Sequence, residues 1–99
     1  LTTEQWDEVV KVTVKQGFTP LIDMAYQGFG DGVDEDAYGV RQMAAAVESM
    51  ILCSSCSKNF GLYRERIGAC SIVAKNSATA DITQSVCRQH MVRRLLKPF

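Results

Sequence analysis

The chain has 99 residues, 46% hydrophobic and 22% charged, with 11 basic and 11 acidic residues and a formal net charge of zero. Those values fit one modest globular domain with a thin core, because a chain of this length buries only about two-thirds of its unfolded surface. They make no electrostatic case for nucleic acid, no apolar run approaches the ~20 residues of a membrane span, and "LTTEQWDEVV" lacks the regions of a secretory signal.

Thr2 or Thr3 is placed to cap a first helix running through about Gln16. Thr2 and Gln5 have capping-box spacing, and Trp6, Val9, Val10, Thr13 and Val14 share one face. Gly17 ends that helix. After Pro20 the short run "TPLIDMAY", bounded by "QGFGDG", predicts a buried strand with Asp23 at its carboxyl end.

Asp34 is expected to open a second helix, "DEDAYGVRQMAAAVESM", acidic in its first turn and apolar at Ala37, Val40, Met43, Ala44 and Val47. "MILCSS" follows as a second strand. Strand, helix and strand form a βαβ unit, so the two strands should be parallel and adjacent. "CSKNFGLYRER" is a loop, and "IGACSIVA" a third strand whose short connection predicts an antiparallel direction. "SATADITQSVCRQHMVRRLLKPF" predicts a helix capped near Ser77 and stopped by Pro98.

Charge is unevenly spread. Residues 1–87 carry seven basic and eleven acidic residues, for a formal charge of −4, and the last twelve residues are +4. Four cysteines without an export signal fit reduced thiols in an intracellular protein.

Ligands of open α/β sheets bind beyond the carboxyl ends of the strands, where this order of elements gathers Asp23, Tyr26, Ser55, Ser57 and Lys58. An amine beside apolar strands suits Schiff-base formation with an aldehyde. A facing aspartate suits a pyridinium nitrogen, and hydroxyls with Arg66 suit a phosphate. By spacing alone, a structural ion pair is the commoner reading of an aspartate and a lysine at neighbouring strand ends.

The strings "DMAYQGFGDGVDEDAYGVR" and "SSCSKNFGLYRERIGA" closely resemble class I pyridoxal-phosphate aminotransferases of the aspartate and aromatic amino-acid group. The resemblance runs from Leu1 to about Ser85, with Ser-x-Ser-Lys-Asn-Phe-Gly-Leu-Tyr-x-Glu-Arg as its most specific string. It implies an α/β fold: part of the large domain of a fold-type I pyridoxal-phosphate enzyme, with two parallel strands, a third antiparallel, and flanking helices. It implies that Lys58 forms the Schiff base with pyridoxal 5'-phosphate and moves the substrate proton. Asp23 would pair with the pyridine nitrogen and Tyr26 with the ring's phenolic oxygen, while Ser55 and Arg66, assisted by Ser57, would hold the phosphate.

The substrates implied are an L-amino acid, aspartate or an aromatic one, and a 2-oxo acid such as 2-oxoglutarate. The intact enzyme would be a cytoplasmic homodimer, with the mitochondrion as the alternative compartment. In the family, a further phosphate loop, a stacking aromatic and an asparagine lie upstream of the matched region. Substrate arginines come from downstream and from the partner subunit. Residues 1–85 are therefore expected to be part of a cofactor-binding large domain, inactive by itself. Residues 86–99 are expected to be a divergent basic tail, truncated or out of frame.

Blander readings compete at several positions. Cys53 and Cys56 match C-x-x-C, and with the basic tail they define the alternative of a small thiol, metal or docking module. Cys70, Cys87 and His90, however, lack the spacing of a second zinc-ligand pair, so no metal is expected. "DGVDEDAYG" has too few ligands at the right offsets for a calcium loop. His90 fits an exposed residue, and Trp6 and the methionines fit packing positions.

Overall fold

A computed structural model describes residues 1–95. The first helix, α1, spans Thr3–Gln16 and opens on the expected capping box. The Gln5 amide donates to Thr2 Oγ1 at 3.2 Å, and the Thr2 amide donates to Gln5 Oε1 at 2.9 Å. At the other end Gly17 takes the left-handed φ of 69° and donates its N–H to the Thr13 carbonyl at 3.0 Å. A residue with a Cβ adopts that geometry only at a cost, hence glycine at the stop.

Strand β1 is Leu21–Met24, helix α2 is Tyr38–Ala46, strand β2 is Met50–Ser55, strand β3 is Gly68–Val73 and helix α3 is Ser77–Leu95. The sheet order is β1-β2-β3. As expected from the connections, β1 pairs with β2 in parallel, Asp23 opposite Cys53. β2 pairs with β3 in antiparallel register, Cys53 opposite Cys70 and Ser55 opposite Gly68. At that last pair the backbones lie so close that a Cβ on residue 68 would sit 2.6 Å from the Ser54 carbonyl oxygen.

α2 departs from expectation at both ends. Residues 34–37 form turns, and the helix starts only at Tyr38, with Ala37 at its cap position and no side-chain cap. The acids that suggested a helix start are used in the preceding loop. Asp36 turns back onto backbone amides, and Asp34 accepts from Arg41 Nη2 at 2.7 Å. At the other end Val47 is already extended, and Glu48 pairs with Lys75 at 3.0 Å. α3 starts at Ser77 and is capped beside it, as expected, by Asn76, whose Oδ1 accepts from the Thr79 amide at 2.9 Å. It runs unbroken across Val86. The expected stop at Pro98 and the His90 side chain lie outside the described residues.

The most buried side chains, Thr13, Met43 and Met50, come from α1, α2 and the start of β2. α1 crosses α2 at Gly39, where any Cβ would overlap the Trp6 ring. Tyr38 Oη donates to Asp7 Oδ1 at 2.9 Å across the same interface. The apolar face of α1 is narrower than its sequence suggested: Thr13 is buried and Trp6 half-buried, but Val9 and Val14 remain exposed. Only the stripe facing α2 is covered. β1 likewise is not the fully buried strand expected, since Leu21 is 63% exposed and burial alternates along it. An edge strand covered on one face alternates with the period-two pleat.

Candidate functional site

The carboxyl ends of β1 and β2 point to the same edge of the sheet, because the pair is parallel. β1 delivers Asp23 and, two residues past its end, Tyr26. β2 ends at Ser55 and passes into the loop carrying Ser57, Lys58 and Arg66. That loop is closed at its base by the Cys56 amide, which donates to the Ile67 carbonyl at 3.0 Å. It is tightened by Leu62 N–H to the Cys56 carbonyl at 3.2 Å and Gly61 N–H to the Lys58 carbonyl at 3.2 Å. Arg66 therefore lies two residues before β3, next to Ile67, whose carbonyl closes the loop on Cys56.

Lys58 Nζ lies 3.9 Å from the centroid of the Tyr26 ring, which joins the loop after β2 to the segment after β1. Such a cation–π contact contributes roughly 0.5–1 kcal/mol at an exposed site. Lys58 itself is half-buried rather than enclosed. Ser55 Oγ accepts the Ser57 amide at 3.1 Å, which leaves the Ser55 hydroxyl proton free to donate elsewhere. Arg66 has a left-handed φ of 55°, a conformation costing roughly 1–2 kcal/mol in a residue with a Cβ. Its Nη1 donates to the Tyr63 carbonyl at 3.2 Å, and the rest of its five-donor fork is uncommitted.

Among the described residues neither the Asp23 carboxylate nor the Lys58 amine has a hydrogen-bond or ion-pair partner. The simple ion-pair reading of that couple therefore has no contact to support it. Asp23 and Tyr26 also line a cleft of about 940 Å³, bounded by Trp6, Phe29, Asp36 and Tyr38. Lys58, Ser55, Ser57 and Arg66 are not part of its wall, so only the β1 side of the candidate set faces this cleft.

The thiols have another arrangement. Cys53 lies directly across the ladder from Cys70, and loss of solvation, then Cys70, then Asp23, push its thiol above the ordinary range. A raised pKa keeps the thiol protonated and poorly nucleophilic. Among the described residues no group of three His, Cys, Asp or Glu side chains is placed to hold a metal ion.

A feature that residue spacing did not single out is the loop between Tyr26 and α2. The amides of Gly28, Gly30 and Asp31 donate to the Asp36 carboxylate at 2.8, 2.9 and 3.0 Å. Those donors hold the carboxyl below its ordinary pKa, the Gly30 amide contributing most. Glycines at 28, 30 and 32 ahead of an acid were the available signal.

The sequence profile of the family described as aminotransferase class I and II matches residues 1–98. This chain belongs to that family. It is 48% identical over 84 residues to an aromatic-amino-acid aminotransferase of Paracoccus denitrificans, covering 85% of this chain and 21% of that protein. It is 52% identical over 80 residues to an aspartate aminotransferase of Escherichia coli K12, covering 81% and 20%. The aminotransferase-family chain thus spans about a fifth of the length of these relatives.

Solved structures agree with the fold. A mitochondrial aspartate aminotransferase from Trypanosoma brucei superposes with a TM-score of 0.89 at 34% identity, over 97% of this chain and 25% of that one. An aromatic-amino-acid aminotransferase from Burkholderia pseudomallei, covalently bound to pyridoxal phosphate, superposes with a TM-score of 0.83 at 42% identity, over 86% and 21%. The three-stranded α/β sheet of this chain is therefore an aminotransferase fold-type I fragment, as the resemblance implied.

The side chains present are chemically suited to that cofactor. An amine without an ion-pair partner among the described residues suits its aldehyde, and a carboxylate at a strand end suits its pyridine nitrogen. Hydroxyls and a guanidinium of which Nη1 alone is engaged, with the Tyr63 carbonyl, suit its phosphate.

Proposed function

We propose that this chain is the cofactor-lysine portion of a pyridoxal-phosphate-dependent aminotransferase. The whole enzyme would exchange an amino group between an L-amino acid, aspartate or an aromatic one, and a 2-oxo acid such as 2-oxoglutarate. The observation that carries this reading is the Lys58 amine, without an ion-pair partner among the described residues and 3.9 Å from the centroid of the Tyr26 ring, in a chain of this family.

Pyridoxal 5'-phosphate would supply an aldehyde carbon and a ring that takes up electrons. Lys58 would hold it through its side-chain nitrogen and, when freed, accept and return the proton of the substrate carbon. Asp23 would keep a proton on the pyridine nitrogen, and Tyr26 would donate a hydrogen bond to the phenolic oxygen. Ser55, Ser57 and Arg66 would bind the phosphate, with Arg66 giving paired donors from a backbone already turned towards the hairpin stem.

Residues 1–85 are assigned to the cofactor-binding large domain and residues 86–99 to a divergent basic tail. The whole enzyme is proposed to be a homodimer in the cytoplasm, with the mitochondrion as the alternative. The chain by itself is proposed to be inactive in transamination, because orientation of substrate supplies much of such catalysis and the segments that would orient it lie outside the matched portion.

The test is incubation with pyridoxal phosphate, borohydride reduction and peptide mass spectrometry. Selective modification of Lys58 over Lys11, Lys15, Lys75 and Lys97, abolished in Lys58→Arg, is the expected result. Equal, weak modification of all five lysines would overturn the assignment of this chain as a cofactor site.

A further inference from the structure

The loop that presents Tyr26 is organised around a single carboxylate. Asp36 accepts the amides on both sides of Phe29, those of Gly28 and Gly30, and also that of Asp31. The loop is closed further by Gln27 Nε2, which donates to the Val33 carbonyl at 2.9 Å. Asp36 thereby holds the residues on either side of Phe29. Its own amide donates to the Tyr26 carbonyl at 3.1 Å, and its ring meets the Tyr26 ring edge-on, centroids 6.4 Å apart and planes at 89°.

Tyr26 and Phe29 are 61% and 64% exposed, so burial does not position either ring. We infer that Asp36 is a positioning residue: through Gly28, Gly30 and Phe29 it sets the Tyr26 ring against the Lys58 amine. The inference deepens the reading of Lys58 and Tyr26 as site residues and rests on it for its meaning in catalysis.

Asp36 touches the loop only through backbone amides, and two exposed aromatics with no contact between them would rotate independently. Here the turn from Tyr26 to Phe29 and the edge contact couple them. Asn in place of Asp36 would keep the size but present an NH2 group to amides that need an acceptor, so the loop would open.

The experiment uses two chemical probes on the full chain and its Asp36→Asn, Phe29→Ala and doubly substituted variants. The first is pyridoxal phosphate with borohydride, reading modification of Lys58 relative to Lys11, Lys15 and Lys75. The second is acetic anhydride, which needs no cofactor site, reading the relative acetylation of the same lysines. Each single variant is expected to lower Lys58 selectivity for pyridoxal phosphate, because the Tyr26 phenol is no longer held where it would meet the cofactor. Each is also expected to raise Lys58 acetylation about threefold towards that of the exposed lysines, the factor by which loss of an exposed cation–π contact frees the amine.

The double variant is expected to add nothing beyond either single one, since both act along one route. Phe29→Ala removes an exposed ring and leaves the folded core intact, so it tests the route even where Asp36→Asn unfolds the loop more widely. Lys58 acetylation unchanged in Phe29→Ala, or additive effects in the double variant, would overturn the inference. Loss of Lys58 selectivity for pyridoxal phosphate in the unsubstituted chain would overturn the cofactor reading alone, and the acetylation arm would still decide the role of Asp36.

Discussion

Asp36 shows how one side chain can organise a segment without being buried. Its carboxylate accepts three amides from a stretch with no regular hydrogen-bonded partner, and those donors stabilise the charged form. The folded pKa is depressed, so the stabilisation is complete above the unfolded value of about 3.9 and is lost as pH falls through the lower folded value. NMR amide shifts of Gly28, Gly30 and Asp31 should therefore move together with a midpoint below about 3.9. Independent movements, or a midpoint at the ordinary value, would show that the carboxylate does not hold the loop. Asp23 was legible as a site candidate from its place at a strand end, but Asp36 was not. Its acid was assigned to a helix start because sequence order does not show that a carboxylate folds back six or eight residues.

At the scale of elements, the interface between α1 and α2 depends on a missing methyl group. Gly39 lies against the Trp6 ring with no room for a Cβ, and Tyr38 bonds Asp7 alongside it. Gly39→Ala would push the helices apart and strain both rings, at a cost of about 1–3 kcal/mol. A lower urea midpoint by circular dichroism would show it, and an unchanged midpoint would mean that the helices do not meet there. The same pair has an alkaline limit. Donation to Asp7 raises the Tyr38 pKa, so this contribution is present below the ordinary phenol value of about 10 and is lost as pH rises through the higher folded value. The strands were legible almost residue by residue, because short apolar runs between glycine, proline and polar turns leave few alternatives. Helix ends were less so: the start of α2 depends on what Asp34 and Asp36 bond, and those partners lie elsewhere in the chain.

For the whole molecule, surface decides the behaviour. The chain exposes 7812 Å², against roughly 5600 Å² for a compact protein of its mass. Its radius of gyration is 15.5 Å, against roughly 12.6 Å for a compact domain of its length. Leu21, Phe60, Tyr63, Ile67 and Ile82 are each at least half exposed. Little apolar area leaves water on folding, so the denaturant slope should be shallow, about 1 kcal/mol per M in urea or less. A steep, fully cooperative urea transition followed by circular dichroism would contradict this. Among the described residues β1 is an edge strand without a further partner, in a chain that spans about a fifth of the length of its relatives.

The sequence by itself determined the strands, their relative directions and the caps of α1. Each of these follows from local chemistry: a capping box, a glycine stop, apolar runs of strand length, and connections too short or long enough for a crossover. Tertiary structure alone decided which faces are covered, that Cys53 faces Cys70 and not Cys56, and that Asp36 bonds backwards. It also decided that Lys58 rests on Tyr26. Those facts depend on which residues distant in sequence share a register or a turn, and the energy of such contacts exists only once the chain has closed on itself.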